Sequence, residues 1–252
     1  MSMENFYLFV WIWIALALLV FPVLLRITAP YGRHSSRDWG PMIPNRLGWI
    51  IMELPSLIIF VLYCLGGTNR MNAPILVFFL LYTMHYTNRS IIFPLRTHTS
   101  RKLIPLLITL MAILFNLVNG FINGYYFGTV SSGYPIEWLY DVRFIGGGLL
   151  FLAGMFINLH SDNILLALRK TTSNGYSIPQ GGLFRYVSCP NFLGEILEWT
   201  GFAIMTWSPA ALAFALWTVV NLVPRALDHH KWYQARFGNY PAERKALIPF
   251  VL

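Results

Sequence analysis

The chain has 252 residues, of which 56% are hydrophobic, 16% aromatic and only 11% charged. Soluble globular domains carry about 25% charged residues, so this composition excludes a soluble domain and indicates a membrane protein. The formal net charge of +8 is spread over several loops, a pattern typical of membrane topology and anionic lipid contact rather than of nucleic-acid binding.

Seven apolar runs are long enough to cross about 30 Å of hydrocarbon. They cover residues 5–27, 47–66, 72–95, 103–127, 142–160, 192–207 and 209–224. The first run is too long for a cleavable signal peptide and follows an acidic segment, so we expect it to remain in the protein. The last two runs meet at Trp207-Ser208-Pro209. The sequence therefore predicts an all-α integral membrane bundle of seven transmembrane helices, forming a single domain over residues 1–252.

Basic residues accumulate in alternate loops. The loops that follow runs one, three, five and seven hold 15 of the 18 Lys and Arg residues. These are Arg26, Arg33, Arg37, Arg46, Arg96, Arg101, Lys102, Arg169, Lys170, Arg185, Arg225, Lys231, Arg236, Arg244 and Lys245. Cytosolic loops carry such an excess. We therefore predict an N-terminus outside and a C-terminus in the cytosol, in the endoplasmic reticulum of a eukaryote or the inner membrane of a bacterium.

Glycine, cysteine and histidine patterns point to structure rather than to a metal or a nucleotide loop. Gly146-Gly147-Gly148 follows no predicted strand and lies inside an apolar run, so we expect it to allow close helix packing. Cys64 and Cys189 are too few for a disulfide framework. The histidines show no HxxxH or HExxH spacing, and no metal site is predicted.

Two polar residues interrupt the second and third apolar runs. Glu53 lies within GWIIMELPSLIIFV and Tyr86 within MHYTNRSII. An ionisable group at membrane depth costs about 2.5 to 3.5 kcal/mol on insertion scales, so it usually has a partner or a task. A carboxyl group in a low-dielectric interior favours its neutral form, which donates a hydrogen bond. Brought together by a hairpin, Glu53 and Tyr86 could stabilise a developing oxyanion; alternatively, Glu53 pairs with Arg89 or with backbone freed by Pro55.

Three later segments each place polar side chains on one face of a helix, because their spacings follow the helical period. The faces consist of Asn158, Asp162 and Arg169; of Asn191, Glu195 and Glu198; and of Arg225, His229, Tyr233 and Arg236. Amides, carboxylates and arginines grouped in this way suit a ligand with amides, hydroxyls and phosphates, such as a dinucleotide. The alternative is that the faces bond to one another or meet water at the cytosolic boundary.

The segments ELPS, HYTNR, NLHSDNILLALRK, IPQGGLFRYVS, NFLGEILEW and KALIPFVL occur in this order. Together they resemble the steroid 5α-reductase (3-oxo-5α-steroid 4-dehydrogenase) family along essentially the whole chain. The resemblance implies a seven-helix membrane enzyme that uses NADPH to reduce the double bond of a 3-oxo-Δ4 steroid. We expect the steroid to enter from the lipid and the protein to act as a monomer.

The resemblance also implies roles for individual residues. Glu53 and Tyr86 would hold the steroid 3-oxo group, while hydride passes to C5 and a proton then reaches C4. The NADPH cage would consist of Asn158, Asp162, Arg169, Asn191, Glu195, Arg225, His229 and Tyr233. The chain departs from mammalian members at Met52, where they carry Gln, and at Ser177, where they carry Arg. These departures bear on steroid preference and on contacts with the cofactor phosphates.

Two other functions are compatible with parts of the sequence. An isoprenylcysteine-type membrane methyltransferase, which binds S-adenosylmethionine, shares the order found here in Arg185, Pro190, Gly194 and Glu195. It would leave Glu53 and Tyr86 without a role. A non-enzymatic sterol-binding or transport bundle would use Glu53 as a proton site and would leave the polar helix faces unexplained.

Overall fold

A computed structural model describes residues 1–97, 102–171 and 176–252. In this part of the chain the α-helices are α1 (Met3–Leu24), α2 (Asn45–Leu65), α3 (Ala73–Thr87), α4 (Phe93–Arg96), α5 (Leu106–Tyr125), α6 (Val142–Thr171), α7 (Pro190–Thr206) and α8 (Pro209–Arg236). The strands are β1 (Met42–Pro44) and β2 (Leu103–Pro105). Short 3-10 helices cover Gly32–His34, Arg37–Trp39, Ile136–Tyr140 and Gly182–Arg185. Arg101 and the side chain of Lys170, both assigned to cytosolic loops, lie outside the described residues.

Helices long and apolar enough to cross a membrane account for most of the predicted spans. In the described chain there are five: Met3–Leu24, Asn45–Leu65, Leu106–Val130, Val142–Arg169 and Pro209–Arg236. The protein is therefore a predominantly helical, multi-pass membrane protein. The third predicted span corresponds to α3, a π-helical turn at Asn88–Ile92 and α4, and the sixth corresponds to α7, which has only 17 residues. The full count of seven spans remains a prediction.

Two helices continue well beyond the apolar runs that predicted them. The fifth run ends at residue 160, whereas α6 continues to Thr171. The seventh ends at residue 224, whereas α8 continues through Pro224 to Arg236. Leu, Ala, Lys and Arg are good helix formers, so the helix outlasts the change from apolar to polar side chains. The polar faces that begin at Asn158 and at Arg225 consequently lie on the same helices as the apolar runs before them.

A short β-ladder, which the all-helical prediction did not include, joins the segments that precede α2 and α5. β1 and β2 pair antiparallel, with Ile43 opposite Ile104. The pairing is extended by the N–H of Leu106, which donates to the carbonyl oxygen of Pro41 at 2.8 Å. The ladder places the starts of α2 and α5 beside each other.

The chain divides into two compact units. The first comprises Met1–Val10 and Ala29–Phe144, and the second comprises Trp11–Thr28 and Ile145–Leu252. α2 to α5 thus belong to the first unit, and α7 and α8 to the second. Glu53 and Tyr86 lie in the first unit, and the residues of the predicted cofactor cage lie in the second. Each group of side chains is therefore positioned by its own set of helices.

Glycines bring α2 and α5 into close contact within the first unit. Gly120 and Gly124 lie four residues apart on α5. A Cβ atom added at Gly120 would lie 2.7 Å from the carbonyl oxygen of Ser56, and one at Gly124 would lie 2.7 Å from that of Phe60. Small residues at such spacing let helix backbones approach, and short polar side chains of α5 can therefore reach α2.

Glycines also bring α6 and α7 together, in the second unit. A Cβ atom at Gly147 would lie 2.6 Å from the carbonyl oxygen of Gly201, and one at Gly154 would lie 2.5 Å from that of Gly194. The start of α6 thus meets the end of α7, and the two helices are antiparallel. The prediction of close packing at the triple glycine is confirmed for its middle residue, Gly147.

Side-chain caps define the starts of α6 and α8. Asp141 accepts a hydrogen bond from the backbone N–H of Arg143 at 2.8 Å and two more from its guanidinium. Because Arg143 stabilises the carboxylate in this way, the pKa of Asp141 is lowered to about 2. At α8, the Ser208 hydroxyl accepts from the N–H of Ala211 at 3.1 Å, immediately after the turn predicted at Trp207-Ser208-Pro209.

Replacing Ser208 with Ala is expected to lower the free energy of unfolding by about 1 kcal/mol, the usual cost of removing an N-cap. The N–H of Ala211 would lose its acceptor in a buried position. Thermal unfolding of the purified protein in detergent measures the change. Ser132, which is exposed in a loop, provides the control, and an equal fall in the Ser132→Ala variant would contradict the assigned cap.

Candidate active site

Glu53 and Tyr86 lie in one hydrogen-bonded cluster of the first unit. Glu53 is on α2, Tyr86 is on α3, and Asn116 of α5 contacts both. The Asn116 amide donates to Oε2 of Glu53 at 3.4 Å and to the carbonyl oxygen of Met52 at 2.6 Å. The Tyr86 hydroxyl donates to Oδ1 of Asn116 at 3.4 Å. Bonds of 3.4 Å are long and weak. The Tyr86 hydroxyl can therefore exchange its bond for one to a stronger acceptor, and the Glu53 oxygen loses little when the amide moves away.

A second asparagine contacts the other side of the Tyr86 hydroxyl. Nδ2 of Asn119 lies 2.9 Å from the Tyr86 oxygen, 3.1 Å from the Tyr82 oxygen and 3.3 Å from Oγ of Ser56. Ser56 and Tyr82 are themselves hydrogen-bonded at 2.8 Å. A hydroxyl that accepts a hydrogen bond is polarised and becomes a better donor. Asn119 therefore favours donation by Tyr86.

Burial makes this cluster unusual at membrane depth. Tyr86, Asn116 and Asn119 are 3%, 4% and 3% exposed, and Glu53 is half-buried. Polar groups persist among apolar helices when they bond to one another. The ring of Tyr82 stacks 3.8 Å from that of Phe60 and lies 4.8 Å from that of Tyr86. The polar atoms thus lie beside a flat aromatic surface, which suits an apolar ligand carrying one polar atom.

The helix changes its pitch two residues after Tyr86, at the π-helical turn Asn88–Ile92. Such turns often occur at functional sites. Arg89, in this turn, was the alternative partner for Glu53. Its guanidinium carbon lies 4.9 Å from the ring centroid of Trp49 and 5.4 Å from that of Phe93, which provides an aromatic environment for this charge.

Two of the three polar faces meet between α6 and α7 in the second unit. The Asn158 amide donates to the carbonyl oxygen of Asn191 at 2.9 Å, and the Asn191 amide donates to Oδ1 of Asp162 at 3.2 Å. Asn158 and Asp162 are buried. The close approach of α6 and α7 at Gly154 and the glycine opposite it makes these short bonds possible.

The third face, on α8, lies against α7. Arg225, His229 and Tyr233 are all buried. The ring of Phe192 on α7 lies 5.4 Å from that of His229 and 6.0 Å from the guanidinium carbon of Arg225. The ring of Tyr233 stacks at 5.3 Å on Tyr240. An arginine, an imidazole and a phenol are thereby held in the interior of one unit.

The remaining members of the predicted cage are less enclosed. Glu195 and Arg169 are half-buried. Among the described residues, Arg169 makes no hydrogen bond with the other predicted cage residues, and its assignment remains a prediction. Of the polar-face residues outside the predicted cage, Glu198 is buried and Arg236 is exposed.

Polar side chains of the second unit provide the donors and acceptors that a dinucleotide needs. A guanidinium suits phosphate oxygens, and a carboxylate suits ribose hydroxyls. Primary amides suit the carboxamide of a nicotinamide. Arg225, Asp162, Asn158 and Asn191 supply these groups, so the residues present fit the predicted cofactor.

Asn116 and Asn119 are the members of the first cluster that the sequence analysis did not predict. They belong to NLVNGFING, in which Asn116, Asn119 and Asn123 occur at i, i+3 and i+7. This spacing places three amides on one face of an otherwise apolar helix. The same criterion that identified the later polar faces would have identified this one.

These features define a class of protein: a multi-pass helical membrane protein with one cluster of an acid, a phenol and amides, and a second group of polar side chains on other helices. A family model described as 3-oxo-5-alpha-steroid 4-dehydrogenase matches residues 102–252. Relatives 38–42% identical extend the similarity over most of the chain. The chain therefore belongs to the 3-oxo-5-alpha-steroid 4-dehydrogenase, or steroid 5α-reductase, family of oxidoreductases.

Similarity extends to plant and animal relatives alike. "Steroid 5-alpha-reductase DET2" of Solanum lycopersicum is 42% identical over 257 aligned positions, covering 99% of this chain and 98% of that protein. The protein of the same name from Arabidopsis thaliana is 40% identical over 236, covering 91% and 90%. "3-oxo-5-alpha-steroid 4-dehydrogenase 1" of Homo sapiens is 39% identical over 223, covering 88% and 85%. These matches favour a reductase over the methyltransferase and transport alternatives.

Proposed function

We propose that the protein reduces the Δ4 double bond of a 3-oxo-Δ4 steroid to the 5α-3-oxo product, with NADPH as the reductant. The observation that supports this most is the contact of Asn116 with both Glu53 and Tyr86. It brings an acid and a phenol to one buried amide, beside aromatic rings. Two donors in such a place suit a ketone oxygen on a flat apolar molecule.

Glu53 and Tyr86 stabilise the charge that develops on the steroid. The protonated Glu53 carboxyl and the Tyr86 hydroxyl donate to the 3-oxo oxygen. NADPH, when bound, supplies the hydride that adds to C5. The electron pair of the Δ4 bond then forms an enolate whose negative charge lies on the 3-oxygen, where both donors bond to it more strongly than to the ketone. A proton added at C4 completes the reduction.

The cofactor is held by residues of the second unit. Arg225 binds phosphate, and Asp162 binds ribose hydroxyls. Asn158 and Asn191 bind amide groups, supported by Glu195, Arg169, His229 and Tyr233. The reductive chemistry belongs to the cofactor, so the protein contributes binding, orientation and the exclusion of water.

The membrane arrangement follows from helix lengths and from charge. α7 is about 25 Å long at 1.5 Å per residue, slightly short of the hydrocarbon thickness, a mismatch that a membrane accommodates locally. The stretch from residue 73 to 96 is about 36 Å long. Both therefore cross the membrane with the five longer helices, with the N-terminus outside and the C-terminus cytosolic. Residues 1–252 act as one catalytic domain, as a monomer in the endoplasmic reticulum or a bacterial inner membrane.

The direct test supplies the purified protein with progesterone or testosterone and NADPH deuterated at the transferable position. The expected product is two hydrogens richer, with deuterium at C5, and NADPH absorbance falls in step. A parallel reaction contains S-adenosylmethionine and a prenylated cysteine. Methyl transfer in that reaction, or a cofactor-bound protein that leaves every 3-oxo-Δ4 steroid unchanged, would contradict the proposal.

Replacing Arg225 or Asp162 with Ala is expected to weaken NADPH binding by a factor on the order of 10 to 100, because a charged hydrogen-bond partner is worth about 1.5 to 3 kcal/mol. Binding is followed by NADPH fluorescence in the absence of steroid. Arg236→Ala, an exposed arginine on the same helix as Arg225, is the control and should bind normally. Unchanged affinity in both test variants would mean that the cage is misplaced.

Replacing Asn119 with Leu is expected to lower turnover about tenfold, since Tyr86 loses the bond that polarises its hydroxyl. The double variant with Tyr86→Phe should be no slower than Tyr86→Phe alone, because Asn119 acts through that hydroxyl. Thr109→Val, which removes a buried hydroxyl from the same helix, is the control for packing. Independent, multiplying effects of the two substitutions would contradict this role.

A further inference from the structure

A cavity of about 560 Å³ lies in the second unit and is lined by residues other than those of the predicted cage. It is formed by two segments, 180–186 and 241–244. Gly181 and Gly182, both with positive φ, turn the first segment sharply. The second segment is fixed by a backbone bond from the N–H of Lys245 to the carbonyl oxygen of Tyr186 at 2.9 Å. The cavity is therefore a built feature of the fold.

The cavity wall contains a buried positive charge. Arg244 is only 3% exposed, and its guanidinium donates to the carbonyl oxygen of Pro179 at 3.1 Å and to Oε1 of Gln180 at 2.9 Å. Its Nε has no hydrogen-bond partner. In the part of the chain that the structure describes, no carboxylate forms an ion pair with Arg244. A buried cation bonded to neutral groups alone is costly, and an anion in the cavity would offset that cost.

The charged side chains at the rim of the cavity do not neutralise Arg244. Glu243 and Arg185 both line the cavity, and both are exposed. Their opposite charges leave the buried Arg244 as the net charge of the wall. Guanidinium groups bind phosphate with several parallel hydrogen bonds, so the chemistry of the wall suits a phosphate group.

An exposed apolar tip lies beside the cavity. Phe250 is 80% exposed and Val251 is 74% exposed. Phe250 has a φ of +66°, a conformation unfavourable for a residue with a side chain, and the N–H groups of Leu247 and Ile248 hold this turn by donating to the Leu252 oxygen. The ring of Tyr186, which lines the cavity, lies 5.6 Å from that of Phe250. The phosphate-binding wall and the apolar tip thus form one continuous surface.

The surrounding helices determine where this surface lies relative to the membrane. α6 and α7 are antiparallel, and α7 and α8 are joined by a tight turn. The end of α6, the start of α7 and the end of α8 therefore share one end of the unit. Segment 176–189 leads into the start of α7, and segment 237–252 follows the end of α8. Both segments therefore lie at that end of the unit. Because α6 and α8 are long and apolar enough to cross a membrane, the cavity and its tip lie at one membrane surface.

From these observations we infer that the cavity binds the phosphate group of an anionic phospholipid. Arg244 and Arg185 contact the headgroup, and Phe250 and Val251 enter the interface among the acyl chains. Basic pockets next to membrane helices commonly bind anionic headgroups, and exposed aromatic and aliphatic side chains insert at that depth. This inference does not depend on the proposed reductase activity.

Native mass spectrometry of the full-length protein in a neutral detergent tests the inference, with dioctanoyl phosphatidic acid, dioctanoyl phosphatidylcholine and inorganic phosphate as separate probes. Phosphatidic acid is expected to bind and phosphatidylcholine is not. Arg185→Gln should weaken binding about fivefold, the value of one interfacial arginine, and Arg244→Gln should weaken it further. Arg185 is exposed, so its variant keeps the test decisive even if the Arg244 variant does not fold.

Two further variants separate this site from its alternatives. Phe250→Ser should weaken phosphatidic acid binding, whereas Arg236→Gln, the loss of an exposed arginine that does not line the cavity, should leave it unchanged. Equal binding of the two lipids, or an equal loss in the Arg236 variant, would overturn the inference. Inorganic phosphate that binds as tightly as phosphatidic acid, with no effect of Phe250→Ser, would instead identify a site for soluble phosphate and would also overturn it.

Discussion

Tyr86→Phe and Glu53→Gln are each expected to lower the turnover of a 3-oxo-Δ4 steroid by a factor on the order of 10² or more, the usual effect of removing an oxyanion donor. Phe lacks the hydroxyl altogether. Gln keeps an N–H donor, but an amide is a far weaker acid than a carboxyl group. NADPH binding should be unchanged in both variants, because the proposed cofactor cage lies on helices of the other unit.

The structure indicates that Tyr86→Phe removes the hydroxyl without destabilising the fold. The Asn119 amide contacts the Tyr82 and Ser56 oxygens as well as Tyr86, so it keeps acceptors when the hydroxyl is removed. A buried donor is therefore not left unsatisfied, a defect that would cost about 1–3 kcal/mol. Oδ1 of Asn116 loses only its long 3.4 Å bond from the Tyr86 hydroxyl. Loss of turnover in this variant can thus be attributed to the reaction rather than to unfolding.

The measurement is single-turnover reduction with saturating NADPH, combined with NADPH affinity and thermal stability for each variant. Tyr63→Phe is the matched control: it removes an exposed phenol from α2, the helix that carries Glu53. Its turnover should equal that of the unmodified protein. Normal turnover in Tyr86→Phe or Glu53→Gln would remove that residue from the proposed chemistry.

Local sequence features predicted most of the helices. Apolar length located α1, α2 and α5 within a few residues, because a membrane helix must satisfy all its backbone groups internally over a fixed thickness. Turn chemistry located the break between α7 and α8 at Ser208 and Pro209, since Pro is well tolerated in the first turn of a helix and Ser is a good N-cap. Local sequence patterns were therefore informative about the type and position of these helices.

Helix ends at the polar boundary were less predictable. α6 and α8 continue beyond their apolar runs, because helix propensity and packing persist after hydropathy falls. The β1 and β2 ladder was not predicted because each strand has three residues, too few to show an alternating pattern. Its pairing also depends on two segments far apart in the chain, which local patterns do not reveal.

The candidate site residues were also predicted in part from local sequence, whereas their arrangement was not. Glu53 and Tyr86 could be chosen from sequence as candidate site residues, because an acid and a tyrosine stand out in an apolar run and match the family's motifs; their role in the reaction stays a proposal. Their mutual arrangement was not predicted, since a hairpin of the second and third spans alone was expected to join them. It is α5, through Asn116, that contacts both. Uncharged amides add little to a hydropathy or charge profile, and their importance becomes clear only from the helices that surround them.

Met52 illustrates how a predicted departure from mammalian members acquires a physical meaning. Its side chain is buried, and its backbone carbonyl accepts the Asn116 amide at 2.6 Å. The anchor for Asn116 is therefore the backbone, which any residue at this position would supply. A different side chain would change the polarity next to Glu53 without removing the bond that orients Asn116 between the acid and the phenol.

Gly147→Ala is expected to destabilise the protein by about 1–3 kcal/mol or more, the cost of overpacking an interface. The added Cβ atom would lie 2.6 Å from the carbonyl oxygen of Gly201 and would also meet the backbone of Met205. Backbone cannot rotate away as a side chain can, so α6 and α7 must separate. Separation would lengthen the bond from Asn158 to the Asn191 carbonyl, and NADPH affinity should fall together with stability.

Gly146→Ala provides a matched control one residue earlier on the same helix. A Cβ atom at Gly146 would meet no atom within 4 Å, and Ala is favoured over Gly inside a helix by up to about 1 kcal/mol. This variant should unfold at the same temperature as the unmodified protein or a higher one, with normal NADPH binding. Equal melting temperatures for the two variants would show that backbone contact at Gly147 does not hold α6 and α7 together, and the positions of Asn158 and Asn191 would then need another cause.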